Sequence, residues 1–239
     1  YREAGWVTLQ DDVIQVTDAG QQALLLLGSL PEFLRAVPYF VTHILSRYQL
    51  NNPARPKTSK DSEFDQKLAE SDIFPYWTLF KILRSVDNKI TAEELRRFVF
   101  RLQKHEDIPQ AIEAIQSLRR DKESRLSEKA LDQKYPLPLE GAIGEPKYIM
   151  GRLGTQVAQS PPVISKEGQS TYILNSAYDA FVDQIIAHEP EYKDYLSEEA
   201  WMQVHGESIS LESENEGEED EIETDLLPDD DPVWEQFRE

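Results

Sequence analysis

The 239-residue chain contains no cysteine. That removes any disulfide framework and any cysteine-based zinc site, and it fits a reducing, cytoplasmic setting. No apolar run approaches the roughly 18 residues of a membrane span. The longest, Ala23–Leu27, is too short, and no signal-peptide pattern opens the chain, so no membrane partner is expected. There is no Gly-rich phosphate loop and no Ser/His/Asp set, and the 4 histidines are scattered. An enzyme acting on its own is therefore the weakest reading, and neither cofactor nor metal is expected. Positive charge is also scarce: 25 Lys and Arg stand against 45 Asp and Glu, a net of −20. The imbalance is local. From Gly206 onward there are 15 acidic residues and one basic, Arg238, whereas residues 1–205 carry a net of only −6. The same tail accounts for the low hydrophobic content of 39%. The chain opens on Tyr1, inside what reads as the middle of a motif, and the expectation is a fragment whose upstream part is missing.

What is present is organised around Phe74–Arg125. Phe74, Trp77, Phe80 and Leu83 mark one face of a first helix, closed by a turn at Asp87–Asn88. Thr91 with Glu94 three residues on is a capping box, and it starts a second helix with Leu95, Phe98, Val99 and Leu102 on one side. A third helix follows from about Ile108, with Ala111, Ile112, Ile115 and Leu118. It ends in the densest basic cluster of the chain: Arg119, Arg120, Lys122 and Arg125. Three short amphipathic helices ending in base are the skeleton of a DNA-reading unit, and equally of a plain helical bundle.

Upstream, Trp6–Leu9 and Val13–Val16 flank a turn and predict a hairpin. Thr17 then caps a helix with Gly20 in its first turn. This reads as the end of a winged helix, although Asp11 and Asp12 at the tip repel a phosphate backbone. Residues 30–48 predict a helix that Pro38 kinks or splits, with His43 packed at the core edge. Residues 51–63 are a polar, Pro-containing linker. Residues 126–147 are poorly periodic and predict an ordered loop. Asp132 followed by Glu145-Pro146-Lys147 has the order of a Mg²⁺ nuclease site, but neither flank reads as a strand, which that chemistry requires.

From Glu145 to His188 the pattern is helix, hairpin, helix. Leu153 lies in the first helix, Val163–Ser165 and Thr171–Leu174 are the strands, and Asn175 caps the last helix. This reads as a second winged-helix end. Its pre-wing helix carries Lys147 and Arg152, with Gln156 and Gln159 nearby, and its wing carries Lys166. Arginine reads guanine and glutamine reads adenine in the major groove, so this segment is the candidate for base contact; a protein-contact winged helix fits as well. Residues 189–205 predict a short amphipathic helix, and His188 and His205 are too isolated for a metal site. Residues 206–239 are disordered by composition. They form a solubilising tail or, through the islands Ile222–Leu227 and Val233–Phe237, a docking segment.

The order of these features, with "FPYWTLFKILRSVDNKITAEELRRFVF" followed by "AIEAIQSLRRDK" and a second winged helix, resembles the DNA-recognition portion of AlwI-type type IIS restriction and nicking endonucleases. Ile90–Leu95 matches that family's T-x-E-E-L element, and Ile112, Ile115, Arg119 and Arg120 stand where its "I…R" helix follows. The resemblance covers about residues 1–188. It implies double-stranded DNA as a partner and a following nuclease domain with Mg²⁺-binding carboxylates. Here an acidic tail follows instead, so the expectation is a recognition half whose cleaving domain lies outside the fragment or on a partner subunit. The alternative is a winged-helix protein-interaction subunit of a larger DNA-processing complex that docks through its acidic tail.

The reading is thus a mainly α protein with small β-hairpins. Winged-helix-like lobes (1–50 and 126–205) surround a three-helix unit (73–125), with a linker at 51–72 and an acidic disordered tail at 206–239.

Overall fold

In the computed structural model, which describes residues 6–10, 13–26, 28, 30–54, 69–136, 153 and 160–207, the chain begins with the expected hairpin. Strands β1 (Val7–Gln10) and β2 (Val13–Val16) pair antiparallel, Val7 opposite Val16. Helix α1 (Asp18–Leu26) follows because the Thr17 hydroxyl accepts the Gly20 N–H at 3.0 Å, satisfying one of the orphan donors of its first turn. Helix α2 (Leu30–Ser46) continues through Pro38 rather than splitting there. Ala19 and Ala23 of α1 pack with Phe40 and Ile44 of α2, and the Trp6 ring lies 6.1 Å from that of Phe40.

Helix α3 (Pro75–Ser85) is the centre of the main core. Tyr76, Trp77, Leu79, Phe80, Ile82 and Leu83 are all buried, so it is enclosed on nearly every side rather than amphipathic. It holds helix α7 (Asp179–Ala187) at two points. The Trp77 indole donates to the Ile185 carbonyl at 3.1 Å, and Arg84 bridges Asp179 at 3.2 Å and Asp183 at 2.6 Å. The turn after α3 places Asp87 and Asn88 at φ 61° and 58°, the paired left-handed conformation of a type I′ connection.

That turn delivers strand β3 (Lys89–Thr91), a strand the sequence pattern does not predict between the turn and the helix start at Thr91. Three residues are too few to show an alternating pattern. The strand forms because β5 (Thr171–Leu174) offers it a free edge; β5 also pairs with β4 (Ile164–Glu167). The sheet order is β3-β5-β4, all antiparallel, with Ile90, Ile164 and Leu174 buried beneath it. Segments far apart in sequence are thus strands of one sheet over one core. Lys166 lies within β4, and the connecting turn is 168–170, where Gly168 takes φ 63°.

Three further segments differ from expectation. The second helix is a single turn, α4 (Ala92–Glu94), continued by a π-helical turn at Leu95–Val99. Helix α5 (Ile108–Glu123) is followed by α6 (Glu128–Lys134), inside the region read as a loop. It is too short to show a period, yet Ser127 caps it by accepting the Ala130 N–H. Residues 189–197 are not helical; helix α8 spans only Glu198–His205. The extended stretch is held instead by the Gln49 side chain. Its amide nitrogen donates to the Lys193 carbonyl at 2.9 Å and its oxygen accepts the Lys193 N–H at 3.3 Å, so it acts as a neighbouring strand would.

His43 is half-buried on α2, and its pKa is lowered to about 4. Desolvation is the main cause, with the charges of Arg47 and His188 adding to it. The unfolded chain takes up this proton near pH 6.5 and the folded chain only near 4. Stability is therefore lost as the pH falls through that window, by at most about 1.4 kcal/mol per pH unit. Denaturant melts at pH 7 and pH 5 should show a stability difference that His43→Gln reduces.

Candidate nucleic-acid interface

The basic end of α5 divides into two groups. Arg119 points inward. Its Nε donates to Glu94 Oε1 at 2.7 Å, Nη2 reaches Glu94 Oε2 at 3.1 Å, and Nη1 donates to the Val86 carbonyl at 2.9 Å. A further bond runs from Nη2 to the Lys89 carbonyl. Glu94 is nearly fully buried and also accepts the Thr91 N–H at 2.7 Å, completing the capping box. The hydrogen bonds that Arg119 donates to Glu94 hold its pKa above its ordinary value. Arg119 therefore ties α5 to the turn after α3, to β3 and to α4 at once.

Lys122 is likewise engaged, by Glu93. Burial alone would raise the Glu93 pKa, but the hydrogen bonds from Lys122 and Arg97 more than reverse this and hold it below its usual range. Arg97 is buried between Glu93 at 2.9 Å, Asp132 at 2.6 Å and the Tyr135 carbonyl. Asp132, the first carboxylate of the nuclease-like pattern, is thereby an ion-pair partner, while Glu145 and Lys147 lie outside the described residues. Among the described residues no group of three or more acidic or histidine side chains forms a metal cluster.

Arg120 and Arg125 are the second group. Both are exposed and have no ion-pair partner among the described residues. Arg120 lowers the Asp121 pKa through space, after the larger effects of Lys134 and Tyr135, which hydrogen-bond that carboxylate. Arg125 closes α5 in the left-handed conformation, φ 57°, where glycine is the usual occupant. Lys166 on β4 is exposed and has no ion-pair partner among the described residues, whereas its neighbour Glu167 holds Lys89. Arg152 and Gln156 lie outside the described residues; of that helix only Leu153 is described, helical and buried. Arg96 on the π turn is exposed without a partner among the described residues and was not singled out from the sequence. An arginine on the polar side of an amphipathic pattern carries no signal that separates it from an ordinary solvated face.

The α5 end and the hairpin are joined through α4. The Ala92 N–H donates to the Ser170 carbonyl in the β4–β5 turn at 2.7 Å, and Thr91 pairs with Thr171. Among the described residues no helix is long and apolar enough to cross a membrane.

No protein-family model matches the chain, and no curated protein matches it in sequence. Among solved structures, the chain is similar to the BpuJ1 endonuclease binding domain, crystallised in complex with pyrene- and phenanthrene-modified DNA. The likeness covers 85% of this chain and 73% of that one, with a TM-score of 0.55 and 15% sequence identity. At that identity it is a likeness of fold.

Proposed function

We propose that this chain is the double-stranded-DNA recognition module of a restriction or anti-phage defence nuclease system, with strand cleavage carried by another domain or a partner subunit. The observation that carries the reading is the likeness, across most of the chain, to a nuclease binding domain solved on DNA. The topology supports it. Helix α3, strand β3, the α4 turn, further helix and then the β4–β5 hairpin follow one another with strand order β3-β5-β4, an order that a winged helix also has. In a winged helix the helix before the hairpin enters the major groove, and on this reading Lys147, Arg152 and Gln156, which lie outside the described residues, make the base contacts. The hairpin turn is then the wing, and Lys166 beside it faces the phosphate backbone.

Arg120 and Arg125 serve as further phosphate contacts, since their charges are not neutralised by a described neighbour. Arg125 adds a physical argument. A non-glycine residue in the left-handed region costs about 1 kcal/mol or more, and the arginine at that position offers charge in return. Arg119 and Lys122 are assigned to the scaffold.

Fluorescence anisotropy on duplex DNA at several salt concentrations tests the reading. Binding should weaken steeply with salt, and the Arg120→Ala/Arg125→Ala/Lys166→Ala triple variant should reduce the slope of log K against log salt by up to about 3 units, roughly 0.9 per phosphate contact. Wild-type protein with no salt-dependent binding would sink the proposal. A second reading, a protein-interaction subunit of a DNA-processing complex, draws on the N-terminal lobe, where Ile14, Leu24 and Leu25 are 69%, 57% and 81% exposed. It requires a stable partner on pull-down that Leu25→Asp releases.

A further inference from the structure

We infer that the Glu94–Arg119 pair is a positioning element that sets the basic end of α5 at a fixed distance and angle from the β4–β5 wing. The inference rests on the DNA reading above and adds to it the residues that hold the two contact regions in register.

The argument is geometric. Arg120 and Arg125 lie at one end of α5, and Lys166 lies on β4, more than forty residues further along the chain. Nothing local in sequence relates them. One described route between them runs through Glu94, and a second runs from Arg119 through Lys89 of β3 to Glu167, the neighbour of Lys166. The two carboxylate oxygens of Glu94 receive the Arg119 fork at 2.7 and 3.1 Å, and one of them also receives the Thr91 N–H at 2.7 Å. Thr91 is in register with Thr171 of β5, and Ala92 donates to Ser170 in the wing turn. Arg119 meanwhile binds the carbonyls of Val86 and Lys89 on the entry to β3. A planar guanidinium held in two directions fixes orientation as well as distance, which a lysine ammonium cannot do. The carboxylate is buried and charge-assisted at every contact, so the link is stiff.

Alignment matters because each phosphate contact adds to affinity only if its partners are met at the same time. A misaligned platform stays folded yet neutralises fewer phosphates, and the salt slope reads that number directly. A purely structural ion pair would lower the melting temperature and leave the slope alone. The Arg97–Asp132 pair, with its arginine buried and joined to α6 rather than to the wing, supplies that comparison.

The experiment uses the full chain and duplex DNA at 10 °C. Glu94→Gln keeps the shape of the side chain and removes its charge; Arg119→Lys keeps the charge and removes the fork. Each should reduce the salt slope by about one phosphate contact or more. Each should also raise exchange of the Ala92 amide, measured by hydrogen–deuterium exchange, by about tenfold relative to Arg97→Lys. Arg97→Lys should lower the melting temperature with the wild-type slope retained. Should Glu94→Gln melt below the assay temperature, Arg119→Lys carries the same test. Wild-type protein without salt-dependent binding overturns the DNA reading itself. Wild-type binding with an unchanged slope in folded Glu94→Gln and Arg119→Lys overturns the positioning role while leaving the DNA reading in place.

Discussion

Replacing Arg119 by alanine is expected to destabilise the protein by about 3 kcal/mol, at the lower end for breaking a buried pair by removing one partner. The magnitude follows from what remains. Glu94 is 5% exposed at its side chain and would keep a negative charge with only backbone donors nearby. The carbonyls of Val86 and Lys89 would lose their shared donor in the same step. Arg119 itself is 28% exposed, so water can enter the vacated space, which is why the effect stays below the top of the range. For a domain of this size the loss corresponds to a melting temperature lower by about 10 °C. Arg120→Ala, one residue along and exposed, should change the melting temperature by less than about 1 °C, within the small range of surface substitutions. Thermal melts of the two single variants decide the assignment. Equal small effects would return Arg119 to the surface and remove it from the scaffold.

Gly20→Ala is the second large effect, expected at about 3 kcal/mol, the upper end for an overpacked site. A methyl group built on Gly20 would stand 2.1 Å from the Trp6 carbonyl oxygen and 2.7 Å from Val16 Cγ1. The oxygen belongs to the backbone and is held in place, since it accepts the Thr17 N–H at 3.0 Å. It cannot swing aside as a side chain would. The hairpin must therefore lift off α1, losing the contact between Trp6 and Phe40. Chemical denaturation of Gly20→Ala against wild type measures the loss, and tryptophan fluorescence reports whether Trp6 becomes more exposed. A variant as stable as wild type would mean that the hairpin does not lie this close to α1.

The two variants probe different kinds of information. Gly20 sits in a helix first turn, and from its neighbours alone nothing marks it as a close-approach position; the constraint comes from Trp6, fourteen residues earlier, folded back over it. Arg119 belonged to the most conspicuous basic cluster in the chain, and its role could not be read there. Charge composition reports that a guanidinium exists, whereas its direction depends on which turn of α5 faces Glu94. Both Glu94 and Arg119 were visible as residues, one as half of a capping box and the other as part of a basic run, and only their meeting made them a pair.

What the sequence by itself determined is the local material: the capping box at Thr91 and Glu94, the hairpins at 7–16 and 164–174, the helices from Leu30, Pro75, Ile108 and Asp179, and the contrast between a nearly balanced body and an acidic tail. These follow from interactions within one or two turns of chain, where hydrophobic period, caps and turn residues act. The tertiary structure decided the rest. It made a strand of Lys89–Thr91 by offering it the edge of β5, held residues 189–197 with the side chain of Gln49, and sorted four neighbouring cations into two that brace the scaffold and two that face solvent. Each of those outcomes depends on a partner 25 or more residues away, and sequence spacing carries no record of which distant groups burial will bring together.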